Sequence, residues 1–335
     1  MRVLVTGAAG FIGNAVALRL LQRGDQVLGL DNYNDYYDVG LKHARIARLE
    51  GEGSYQNIVA DLSDRTAMER VFTDFTPERV VHLAAQAGVR YASLNPHAYA
   101  ASNLTGFLHV LEGCRQSDVD HLVFASTSSV YGANCAMPFS EHDATEHPLT
   151  LYAATKKSNE MMAHSYAHLY GFACTGLRLF TVYGPWGRPD MAPILFAKAI
   201  ANGDPIQVFN HGRHSRSFTY VDDIVDGVVG ALDSKAQCNE AWDPEAPDSA
   251  TSTAPYRIYN IGHEQPMELL RFIELIESAL GKRAVMELVP LQPGDVVDTA
   301  ADVSDLVSRL GATPRIEPED GVPRFIEWFR SYYRI

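Results

Sequence analysis

Cysteine is scarce and scattered. The four residues Cys114, Cys135, Cys174 and Cys238 form no CxxC pair, so neither a disulfide framework nor a zinc site is expected, and four reduced thiols in a cytoplasmic protein is the reading that follows. Long apolar runs are missing as well. No stretch reaches the 18 or so residues that a membrane-spanning helix needs. The chain opens on MRVLVTG, a strand, with no charged leader ahead of an apolar segment, and no signal peptide is expected. Positive charge is in deficit: 28 Lys and Arg stand against 41 Asp and Glu, a net charge of −13. That balance argues against nucleic acid or an anionic membrane surface as a partner. It does not exclude one anionic ligand, which needs only a local cluster of cations.

What is present is a regular alternation. Apolar runs bounded by turn residues, at 2–6, 26–30, 56–60, 79–84, 121–126 and 173–179, read as strands. Stretches of helical length, such as 12–23, 64–75, 97–116 and 151–169, separate them. The class is α/β: a Rossmann-like, doubly wound parallel sheet covered by helices on both faces. Beyond residue 180 the strands shorten and Pro and Gly increase, as in GPWGRPDMAP and LVPLQPGD. The expected division is a dinucleotide-binding domain over 1–180, to which 217–235 and 256–263 return, and a smaller C-terminal substrate-binding lobe from 181–216 and 264–335. Residues 236–255, rich in acids, Ser, Thr and Pro, read as an exposed loop inserted between core elements, open to disorder.

The sharpest motif follows the first strand. Gly7, Gly10, Phe11, Ile12 and Gly13 turn the chain from that strand into a helix. Glycine there permits a tight turn, close approach of a pyrophosphate and packing of helix on strand, while N–H groups at the helix start face the phosphates. Asp31 and Asn32 close the next strand. A carboxylate there bonds both ribose hydroxyls and repels the extra phosphate of NADP, which points to NAD; the competing reading of Asp31 is a turn residue.

Tyr152 and Lys156 stand four apart on one helical face. A phenol titrates near ~10 and is a poor base at neutral pH unless a cation favours phenolate and a hydroxyl shares the proton. ASTSSVYG at 125–132 supplies a strand end dense in hydroxyls. The bland alternative is a surface Tyr with a hydrogen bond. His164 and His168 also share a face, but no Glu or third His is arranged with them, so no metal site is expected.

The GxxGxxG spacing resembles that of short-chain dehydrogenase/reductase proteins, and the rest of the chain resembles their extended branch. Stretches such as LDNYNDYYDVGLKHARI (30–46), TLYAATKKSNEMMAHSYAHLYG (150–171) and LRLFTVYGPWGRPDM (177–191) are similar to those of UDP-glucuronate 4-epimerases. The resemblance runs over nearly the whole chain apart from 236–255. It implies that Asp61 and Leu62 reach the adenine, that Ala84 and Ala85 in HLAAQ lie along the cofactor, and that Asn103 belongs to the cofactor site. It further implies Thr127, Tyr152 and Lys156 as the catalytic set, with Tyr152 as base and acid. Lys156 would hold the nicotinamide ribose and lower the Tyr152 pKa. Arg216 would grip the diphosphate of a UDP-sugar. Ser217 replaces an Asp usual in that motif, and Gln292 stands where a second diphosphate Arg is frequent. Relatives that eliminate or decarboxylate carry acids just after the catalytic Thr, where this chain has Ser128 and Ser129. With Thr181, and Arg188 as a charged partner, these hydroxyls are candidates to receive a sugar carboxylate; strand-end capping is the alternative for the serines. The implied reaction is epimerisation of UDP-glucuronate at C4 by a homodimer. A UDP-glucose 4-epimerase, a UDP-glucuronate decarboxylase and a non-catalytic NAD sensor remain as alternatives.

Overall fold

The computed structural model describes residues 1–291 and 297–335. Seven strands form the main sheet: β1 (Arg2–Thr6), β2 (Gln26–Asp31), β3 (Tyr55–Val59), β4 (Arg79–His82), β5 (His121–Thr127), β6 (Ala173–Leu179) and β7 (Tyr256–Ile261). Their order is β7-β6-β5-β4-β1-β2-β3, and every pairing is parallel. The fold is a Rossmann-like α/β sheet with layers on both faces. Central strands buried on both sides explain the short unbroken apolar runs, while the edge strand β3 is largely exposed. Along β1, Val3 and Val5 enter one core cluster and Leu4 the other. Chain order reverses between β1 and β4, which opens a crevice at the carboxyl ends of the strands.

Helix α1 (Phe11–Gln22) and a helix over Val221–Asp233 pack together on one face; helices Arg65–Phe75 and Gly106–Gln116 cover the other. The stretch 97–116 is interrupted. A short helix, Pro96–Tyr99, passes into a wide π turn, Ala100–Thr105, before the regular helix begins. The helix Leu151–Tyr170 runs beside it, started by Thr150, whose hydroxyl accepts from the Ala153 N–H at 3.1 Å, and ended by Gly171 at φ +75°.

Beyond residue 180, apart from Val221–Asp233 and β7, the chain forms helices Ala192–Asn202, Leu269–Leu280 and Pro318–Tyr333 and two- and three-stranded pieces of sheet outside the main sheet. One apolar cluster runs through both lobes, from Val3 and Leu20 to Phe272 and Phe325. The segment 236–255 carries no helix or strand of its own, and most of its tip is exposed. Its base is anchored: Ala250, Ser252 and Ala254 are buried, and Ala250 O accepts from Ile258 N at 2.9 Å.

Candidate active site

The strand ends place the motifs in one row. The turn after β1 is held by Gly7, at φ +75°, whose N–H donates to Leu30 O at 2.7 Å. A side chain at Gly13 would put its Cβ 2.1 Å from Gly7 O, so the helix start and the turn touch backbone to backbone. Asp31, at the end of β2, accepts from Ala9 N (3.2 Å) and Tyr33 N (2.9 Å). Asn32 donates to Asp61 at 2.8 Å across the β2–β3 gap. Burial would raise the Asp61 carboxyl, but hydrogen bonds from Ser63 and Asn32 outweigh it and hold the group below its ordinary value.

Gly7, Gly10, Phe11, Ile12 and Gly13 border one large cavity, with Asp31, Asn32, Asp61 and Leu62 along one wall and Ala84 and Ala85 along another. Asn103 is different. It is buried behind the wall, accepts from Gln86 N (2.8 Å), donates to Thr155 Oγ1 (3.0 Å), and does not line the cavity. Its carbonyl, in the π turn, accepts from Asn159 at 2.6 Å. Asn103 therefore braces the wall and the Tyr152 helix from behind.

Thr127 closes β5, and its hydroxyl caps the turn Ser128–Tyr131 by accepting from Ser129 N at 3.2 Å. Tyr152 enters the cavity from the next helix, edge-on to Tyr99. Burial raises the Tyr152 phenol; the Arg188 cation and a hydrogen bond with Thr127 pull it back down. Sequence reasoning gave the cation's part to Lys156 and the nicotinamide, not to Arg188. Lys156 is itself buried, which lowers its ammonium to about 8 against the opposing pull of Glu160. Behind it His82, pushed down to about 3 by burial and by Lys156, stays neutral and pairs with Thr6 at 2.8 Å.

Glu160, one turn beyond Lys156, is wholly buried. It accepts from Ser126 Oγ (2.6 Å) and from Arg178 Nε and Nη2 (3.0 Å each). Ser126 and Arg178 are register partners on β5 and β6. One carboxylate thus joins two strands to the helix that carries Tyr152.

The cavity continues past Ser128, Ser129 and Thr181 to Arg188 and Arg216. Arg188 is gripped by Asp190 through two hydrogen bonds (3.1 and 2.5 Å), and Tyr36 donates to the same carboxylate at 3.1 Å. Neither Asp190 nor Tyr36 was singled out from the sequence, although both lie in the stretches that carry the resemblance. Arg216 donates to Ser215 O and Val297 O, while Ser217 turns inward to Thr299 O at 3.3 Å. Gln292 lies outside the described residues. His164 bonds to Ser252 Oγ at 2.8 Å, and among the described residues no group of three or more His, Cys, Asp or Glu is arranged to hold a metal ion.

The cavity measures about 990 Å³, room for more than one extended ligand. Among the described residues no helix is long and apolar enough to cross a membrane. The chain is 49% identical to protein CapI of Staphylococcus aureus over the full length of both. It is 48% identical to a probable UDP-glucuronate 4-epimerase of Rhizobium meliloti (strain 1021), covering all of this chain and 98% of that one. A solved UDP-glucuronic acid 4-epimerase from Bacillus cereus, in complex with UDP-glucuronic acid and NAD, superposes with a TM-score of 0.89 at 32% identity, covering 99% of this chain and 100% of that chain. The profile of the NAD dependent epimerase/dehydratase family matches residues 3–262, from β1 to the end of β7. That span contains the glycine turn, the acid at the end of β2 and the Tyr152-Lys156 pair, and the chain belongs to the NAD dependent epimerase/dehydratase family.

Proposed function

We propose that the protein interconverts UDP-glucuronate and UDP-galacturonate at C4, with NAD as a resident cofactor. The observation that carries this reading is a Tyr152 phenol acted on by Thr127 and Arg188, beside a wall of hydroxyls with no carboxylate at positions 128 and 129. A Cβ at Gly7, Gly10 or Gly13 would fall within 3 Å of neighbouring backbone, so only glycine makes this turn, and all three border the cavity, where their backbone would meet a pyrophosphate. Asp31 would hold the adenosine ribose, Asp61 and Leu62 the adenine, and Lys156 the nicotinamide ribose. When bound, NAD supplies the acceptor and then the donor of the C4 hydride.

The residues of the chain do the rest. Tyr152, as phenolate, takes the proton from the C4 hydroxyl while Thr127 shares it. The 4-keto sugar turns about its link to a diphosphate gripped by Arg216, and Tyr152 returns the proton once the other face is presented. A 4-keto glucuronate is a β-keto acid and loses CO₂ when its carboxylate bond aligns with the carbonyl π system. Ser128, Ser129 and Thr181 hold the carboxylate out of that alignment, each hydrogen bond contributing about 1–3 kcal/mol. Exposed apolar side chains on the adjacent helices, among them Leu108, Leu151, Met161 and Leu169, support a homodimer through these helices.

Incubation with UDP-glucuronate, followed by chromatography, tests the reading. UDP-galacturonate is expected with almost no UDP-4-keto-pentose. Turnover of UDP-glucose alone, a decarboxylated product, or NAD binding without turnover would each replace it.

A further inference from the structure

Arg45 sits in the last turn of a helix over Val39–Ala47 and is wholly buried. All five of its N–H donors are used. Nη1 reaches Ala9 O (2.9 Å) and the Tyr37 hydroxyl (2.8 Å), Nε reaches Trp186 O (3.1 Å), and Nη2 reaches Trp186 O (2.7 Å) and Gly187 O (3.1 Å). Every acceptor is neutral. Two further cations stand near it: Lys42, buried and bound to Asn34 O and Oδ1, and Arg48, bound to Asn14 and lying over the Trp186 ring. Acids do lie around the cluster, Asp31 and Asp35 near Lys42 and Asp222 near Arg48, but Asp31 already accepts from Ala9 and Tyr33, and among the described residues Arg45 forms a salt bridge with none of them. A guanidinium taken out of water without a counter-charge is costly, and a buried cation normally has an anion to meet. Ala9 belongs to the glycine turn; Trp186 and Gly187 immediately precede Arg188.

We propose that Arg45 is the buried counter-charge for the dinucleotide diphosphate, and that its fork ties filling of the glycine turn to the position of the Arg188 loop. This rests on the reading that the turn holds NAD. It makes Arg45 a positioning residue: it meets the diphosphate through the turn and the sugar through residues 186–187. It also gives a purpose to a cation in the 30–46 stretch that the proposed reaction leaves unused.

The test follows NADH fluorescence in wild type, Arg45→Gln and Arg45→Lys, with ADP-ribose and adenosine as displacing probes. Arg45→Gln is expected to weaken NADH and ADP-ribose at least about tenfold while adenosine, which has no diphosphate, changes by less than about threefold. Arg45→Lys keeps the charge but not the fork. Its NADH affinity is expected to stay within about threefold of wild type while KM for the sugar nucleotide rises. Equal weakening of adenosine and ADP-ribose overturns the proposal, as does unchanged NADH affinity in Arg45→Gln. If Arg45→Gln does not fold, Arg45→Lys decides alone, because lost NADH affinity with an unchanged KM overturns it. Wild-type protein that binds no NADH removes the dinucleotide reading itself.

Discussion

Tyr152 is held between burial, which favours the neutral phenol, and Arg188 and Thr127, which favour the phenolate. Tyr152→Phe keeps the ring against Tyr99 and removes only the proton acceptor. Turnover is expected to fall at least about a hundredfold, with UDP-sugar binding largely kept; near-normal turnover would assign the base elsewhere. The Tyr-Lys spacing was legible because it lies within one helical turn. The influence of Arg188 was not, because it arrives from a loop after β6, on a side chain aimed by Asp190 and by Tyr36, which lies 154 positions from Asp190. Sequence spacing carries contacts within an element. It does not carry those that exist only after two lobes meet.

Secondary-structure elements were read well where strands are buried on both faces and apolar runs are short and bounded. The π turn at Ala100–Thr105 escaped, since nothing in AASNLT marks a wide turn, and with it the inward role of Asn103. The helix Leu151–Tyr170 was legible as a helix, but not its unusual buried face: Thr155, Lys156, Asn159 and Glu160 at its start, Ala163 and Ala167 towards its end. Polar burial of this kind needs partners, and Glu160 finds them on β5 and β6. Glu160 also opposes the downward shift of Lys156, which stands at about 8. The sign follows from linkage. Between about 8 and the ordinary Lys value the unfolded chain binds more protons than the folded one, so this group adds stability as pH rises through that window. If the charge on Lys156 serves the reaction, activity runs the other way and declines above pH 8. Glu160→Gln is therefore expected to move the alkaline limb of the pH–rate profile to lower pH, beyond any loss of rate. A limb that stays in place would mean that Glu160 only braces the strands.

For the whole molecule, the exposed apolar side chains point to assembly. Met161 is 52% and Leu169 64% exposed on one helix, with Leu108 39% exposed on its neighbour. Burying such a face against a second copy is expected to give light scattering at twice the 36.9 kDa chain mass at micromolar concentration; the single-chain mass would reject the homodimer. The change of texture near residue 180 was read as a division into two lobes, and one apolar core runs across that position without a break.

The sheet order has a consequence for how the chain is made. During synthesis the first six strands emerge in sequence, and β6 then presents a bare edge while most of the second lobe is still being added. Only when Tyr256–Ile261 leaves the ribosome is that edge capped. The final helix arrives later still, bringing Trp328 and Tyr332 against Trp186, in the loop that Arg45 holds. A nascent chain can form the glycine turn and the Tyr152 helix well before Arg216 and the final helix are in place. Its most vulnerable interval, open to strand-edge aggregation, falls between the birth of β6 and that of β7.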